Sequence, residues 1–153
     1  MIELTAEETE SISNVTMPCR VSARTRLSRP LFQSCVSAGY PSPADNEFGI
    51  RLDFNQRFIR NAAATYYVEV IGDSMTGRGI NEGDILLVDR AVDCTDGHVI
   101  IARVNGDFCV RVFRSAGERV WLEAANPRYK PIEITPEMDF DIYGRVMLSI
   151  QRH

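Results

Sequence analysis

From residue 64 onward the apolar positions alternate or gather in short runs, and almost none of them follow a helical period. In TYYVEVI, residues 65–71, Tyr66, Val68 and Val70 fall on one face and Thr65, Tyr67 and Glu69 on the other, the two-residue period of a half-buried strand. DILLVDR, 84–90, is a solid apolar run with the length of a buried strand. HVIIARVNGDFCVRVFRS, 98–115, carries the clearest local signal. Two β-rich runs flank Asn105-Gly106, a dipeptide that favours the type I′ hairpin. A two-residue loop there pairs Val104 with Asp107 and Ile100 with Arg111, and sets Cys109, Arg111 and Phe113 on one face. RVWLEA, PIEI and DIYGRVMLSI complete roughly seven strands joined by short turns. The pattern predicts an all-β body, barrel or sandwich, beginning near residue 50.

The first thirty residues show no sustained period and read as a mobile arm. Between arm and body, Phe32 and Val36 are placed to dock on a surface, and the two prolines of GYPSP favour extended chain. LDFNQRFIR, 52–60, reads as a helical turn with Leu52, Phe54 and Phe58 facing inward. Too little helix-period apolar sequence lies in residues 1–60 for a helix-turn-helix.

Charge narrows the function classes. The net charge is −4. Four Glu in the first ten residues balance four Arg between 20 and 29, so the body carries the whole excess. Direct DNA binding is disfavoured for such an acidic body. No apolar run approaches the ~20 residues that span a bilayer, and the acidic start is unlike a secretory signal; a cytoplasmic location is expected. Cys19, Cys35, Cys94 and Cys109 form no CxxC pair and are expected as free thiols. The two histidines are His98, which opens an apolar run as a strand-edge residue, and the terminal His153. A His-based triad or a His-rich metal site is therefore not expected.

The candidate chemistry sits where the first strand run breaks, in GDSM, 72–75. The motif does not fit G-x-S-x-G, and no βαβ pattern surrounds it, which argues against an α/β-hydrolase. Its context is more specific. PLFQSCVSAGYPSPA, ATYYVEVIGDSM, GINEGDILLVDRA, NGDFCVRVF and NPRYKPIEI occur in this order. Together they resemble the LexA/UmuD family of self-cleaving serine peptidases over about residues 29–150, and within it the translesion-polymerase accessory branch that lacks a helix-turn-helix.

The resemblance implies a LexA/UmuD C-terminal peptidase-like β fold over 39–153 and an arm, 1–38, that self-cleavage removes. It implies Ser74 as nucleophile, Ala38-Gly39 as scissile bond, and the backbone N–H groups of Asp73 and Ser74 as oxyanion donors. It implies a neutral lysine as the base, no cofactor and no metal. Implied partners are a second copy of the chain, the RecA filament on single-stranded DNA, and a UmuC-like error-prone polymerase subunit, in the SOS response.

One position departs from the pattern. The base is expected at Arg111, and the single lysine of the chain, Lys130, falls in the loop-like NPRYKP. A guanidinium holds its proton far above neutral pH and is deprotonated about once in a million at neutral pH. It donates to a serine hydroxyl and does not take its proton. The site is therefore expected to be inactive in self-cleavage. The alternatives are a working self-peptidase that uses another base, and a transcriptional regulator built on the LexA fold. With sixteen Arg to one Lys, a natural replacement is believable, as is a deliberate one. Met75 and Trp121 are read as packing residues, and Tyr129 and Lys130 as loop surface.

Overall fold

The computed structural model describes residues 13–21, 28–32 and 48–153, with side chains for 13–21 and 53–153. They divide into two units, residues 13–20 with 63–153, and a smaller one within 21–62. In the smaller unit, β2 (Ser28–Phe32) and β3 (Phe48–Asp53) pair antiparallel, Arg29 opposite Leu52. Ala38-Gly39 and GYPSP fall in the stretch 33–47 that joins them, outside the described residues. A one-turn helix, α1 (Phe54–Phe58), follows β3. The Asp53 carboxylate caps it, accepting from the Asn55 and Gln56 backbone N–H groups at 3.0 and 3.4 Å. Phe54 and Phe58 do not face inward as the sequence predicts; they are 53% and 40% exposed. Five residues are too few to lay down a buried stripe, and the two rings pack on each other, centroids 5.5 Å apart.

The larger unit is one antiparallel sheet. Its strands are β1 (Cys19–Arg20), β4 (Thr65–Glu69), β5 (Ile85–Asp89), β6 (Val99–Val104), β7 (Asp107–Ala116), β8 (Arg119–Glu123), β9 (Ile132–Glu133) and β10 (Phe140–Ile150). They lie in the order β1-β4-β5-β10-β6-β7-β8-β9. The seven strands expected after residue 64 are β4 to β10. Asn105 and Gly106 take φ of 49° and 90°, as a type I′ loop requires. The register that follows is the expected one, Val104 opposite Asp107 and Ile100 opposite Arg111.

Both faces of the β6–β7 hairpin are covered, which explains its near-continuous apolar sequence. Val68, Val70, Met75, Leu86, Val88, Ile101, Val110 and Val112 belong to one core. Ile100, Ala102, Val104, Cys109, Phe113 and Leu122 belong to another. Arg111 therefore enters a buried strand, and it is only 5% exposed. Among the described residues no helix is long and apolar enough to cross a membrane.

Candidate active site

Ser74 stands on the turn that leaves β4, five residues beyond its last residue, Glu69. Gly72, with φ of 81°, lets the chain reverse there. Met75, 1% exposed, drives into the core and pins the turn, as its sequence reading expected. The backbone carbonyl of Met75 accepts from the Arg78 and Ile80 N–H groups at 3.0 and 3.3 Å.

A second loop, between β8 and β9, holds the turn from outside. The Gly77 N–H donates to the Ala125 carbonyl at 2.7 Å. A Cβ on residue 77 would overlap that same oxygen, so glycine is required by the close approach. Asn126 Nδ2 donates to the Asp73 carbonyl at 2.9 Å. The Asp73 carboxylate accepts from the Tyr129 hydroxyl at 2.5 Å and from Arg128 Nη1 at 3.4 Å. Tyr129, read from sequence as loop surface, is thus half-buried and part of the site. Lys130 is exposed, as expected.

Ser74 and Arg111, 37 residues apart in sequence, meet here. Arg111 Nη1 donates to Ser74 Oγ at 2.9 Å and to the Val110 carbonyl at 2.8 Å. Its Nε is buried without a hydrogen-bond partner. The guanidinium carbon lies 5.9 Å from the centroid of the Tyr129 ring. Burial pushes the Arg111 pKa below its ordinary value, while neighbouring Cys109 and Tyr129 act the other way. Burial also raises the Cys109 thiol to about 11.

A third group reaches the serine. Asn14 Nδ2 donates to Ser74 Oγ at 2.6 Å, and Asn14 Oδ1 accepts from the Val110 N–H at 2.8 Å. The backbone donor fixes which end of the amide is oxygen. Ser74 Oγ, in a residue 2% exposed, therefore accepts from two donors, and no side chain bonded to it is a base. The arrangement can hold an alkoxide and polarise a carbonyl; it does not remove the hydroxyl proton. Asn14 carries no signal in the sequence, because its partners lie 60 and 96 residues away. Tyr129 and Asn126 are visible only as members of the NPRYKP block.

The groups line a cleft of about 520 Å³ that also includes Ile71, Gly72, Arg128, Lys130 and Ile132. Lys130 shares the cleft, yet Arg111 makes the bond to the serine. Cys19, Cys94 and Cys109 are free thiols. No cluster of His, Cys, Asp or Glu among the described residues is arranged to hold a metal ion.

Residues 30–147 match the Peptidase S24-like family. The chain belongs to that family, the LexA/UmuD group of self-cleaving proteins linked to the SOS response. It is 37% identical over 123 residues to Protein SamA of Salmonella typhimurium, covering 80% of this chain and 85% of that one. It is 38% identical over 111 residues to the LexA repressor of Stenotrophomonas maltophilia, covering 71% of this chain and 51% of the repressor, so it spans about half of that protein. Protein ImpA of Escherichia coli is 37% identical over 109 residues, 71% of this chain and 70% of ImpA.

Proposed function

We propose that this chain is a UmuD-like accessory protein of translesion DNA synthesis whose self-cleavage site is held inactive by Arg111. The observation that carries the reading is the 2.9 Å bond from Arg111 Nη1 to Ser74 Oγ. A cation that stays protonated occupies the place of the general base and donates where a base would accept. The protein then acts uncleaved, as a homodimeric module that engages the RecA filament on single-stranded DNA and a UmuC-like polymerase subunit. The ordered sequence blocks support these partners, and the acidic body supports contact with proteins rather than with DNA.

Lysine at position 111 would supply the missing base. The neutral amine takes the Ser74 proton while Oγ bonds to the Ala38 carbonyl carbon. The Asp73 and Ser74 N–H groups receive the developing oxyanion. The C–N bond to Gly39 breaks, the amine returns the proton to the leaving Gly39 nitrogen, and water hydrolyses the acyl-enzyme. The 1–38 segment is then released from the 39–153 domain.

The test is mass spectrometry of the purified Arg111→Lys chain at alkaline pH and with RecA filaments. A fragment beginning at Gly39 is expected, absent from the native chain and from Arg111→Lys combined with Ser74→Ala. Cleavage of the native chain would instead assign the base to another group, with Lys130 the first to substitute because it lines the same cleft. An intact Arg111→Lys chain under all conditions would mean either that Ser74 is not a nucleophile or that the cleavage segment does not reach it.

A further inference from the structure

One wall of the Ser74 cleft is built by a piece of the same chain, which reaches the serine through Asn14. Residues 14–16 run between the end of β4 and the first half of β7, bonded to both. The Asn14 N–H donates to the Phe108 carbonyl at 3.2 Å, and the Asn14 carbonyl accepts from the Ile71 N–H at 2.8 Å. Val15 bridges Val70 and is 3% exposed, within the core. The Thr16 N–H donates to the Glu69 carbonyl at 2.9 Å, and the Thr16 hydroxyl accepts from the Glu69 N–H at 2.9 Å. Further along, Cys19 stands opposite Tyr67 and Arg20 opposite Tyr66. The segment is an added strand that covers the edge of β4, which would otherwise end the sheet.

An extended segment bonded along a sheet edge is how a peptide substrate is held. This one presents no bond for attack. What faces Ser74 Oγ is the side-chain nitrogen of Asn14, at 2.6 Å, and not a backbone carbonyl carbon. The amide also takes the Val110 N–H, beside the strand position of Arg111.

We propose that residues 13–20 are a displaceable inhibitory strand, seated by Asn14, that competes with the cleavage segment for the Ser74 cleft. The proposal rests on the self-cleavage reading above. It makes two conditions for cleavage, a lysine at position 111 and withdrawal of Asn14. Loss of the strand also frees the β4 edge for another extended peptide.

The strand supplies its own lock for a test. Cys19 is an exposed free thiol directly opposite Tyr67. Paired residues on antiparallel strands lie ~4.5–5.5 Å apart at Cα, within disulfide reach. Tyr67→Cys in the Arg111→Lys chain, treated with oxidised glutathione, should crosslink the strand to β4, as non-reducing peptide mapping will show. The crosslinked chain is expected to cleave at Ala38-Gly39 at least ~10-fold more slowly than after reduction. Arg111→Lys with Tyr67 intact, under the same oxidant, is the control. Asn14→Ala added to Arg111→Lys is expected to raise the rate by about tenfold, because two hydrogen bonds that seat the strand are lost. Failure of the crosslink to form, or equal measurable rates in both redox states, overturns the inhibitory strand and leaves the cleavage reading standing. No cleavage in any form, the Asn14→Ala/Arg111→Lys chain included, overturns both.

Discussion

Lysine at position 111 in a chain that cannot cleave turns the base into a thermodynamic readout. In Ser74→Ala/Arg111→Lys the amine inherits a place that is 5% exposed in the native chain. None of the ion pairs among the described residues involves Arg111. Burial there depresses the guanidinium pKa and acts in the same direction on an ammonium. An unfolded lysine titrates at about 10.4, and burial places the folded value below that. Between these values the unfolded chain holds a proton that the native chain has lost, so stability rises with pH. The rise is about 1.4 kcal/mol per pH unit across that window. Below the window the cost of the buried charge is fully present and the curve is flat.

Ser74→Ala alone, with its arginine, is the reference, since its guanidinium titrates above the range. Urea unfolding of both variants from pH 7 to about 10.5 gives the difference, in which the other titrating groups cancel. A difference that does not change with pH would refute the argument. It would mean a hydrated, charged amine at position 111 that cannot take the serine proton, and the proposed rescue of cleavage would lose its basis.

The Cys109 thiol is raised from 9.0 to about 11. Native-chain stability should therefore be lost as pH rises through that interval, by about 2–3 kcal/mol, and Cys109→Ala should flatten the decline in alkaline urea titrations. Gly77→Ala forces a Cβ onto the Ala125 carbonyl; it should cost about 2 kcal/mol or more, seen as a lower urea midpoint. Tyr129→Phe removes the hydroxyl bond to Asp73 and should lower stability by about 1–2 kcal/mol in thermal unfolding. No change there would show that the Tyr129 hydroxyl bond does not hold the serine turn.

What was legible in the sequence was what local pattern controls. The alternation in TYYVEVI and the Asn105-Gly106 dipeptide determine β4, β6, β7 and the register that brings Ile100 opposite Arg111. The meeting of Ser74 with Arg111 needed more, because the turn after β4 and the strand β7 are far apart in the chain; there the ordered blocks of the family resemblance carried the argument. Asn14 was not legible at all. Its segment lacks period, and its place depends on a groove formed by strands that come much later. Tyr129 was misread because its loop looks polar, and the Asp73 carboxylate that draws it inward is 56 residues away. Phe54 and Phe58 were misread because apolar spacing says nothing about whether a five-residue helix has a surface to cover.

The two-residue loop at Asn105-Gly106 acts as a ruler for the chemistry. Side chains along a strand alternate between faces, so a shift of β7 by one residue would send Arg111 to the opposite side of the sheet and bring Val110 or Val112 to the serine. Both valines now belong to the other core. A one-residue insertion at this surface tip that slid β7 rather than lengthening the loop would bury a charge among aliphatic side chains and erase the site in the same step. Length at the tip is consequently less free to vary than its exposed position would imply, and a natural or designed descendant of this chain can change the two residues far more readily than their number.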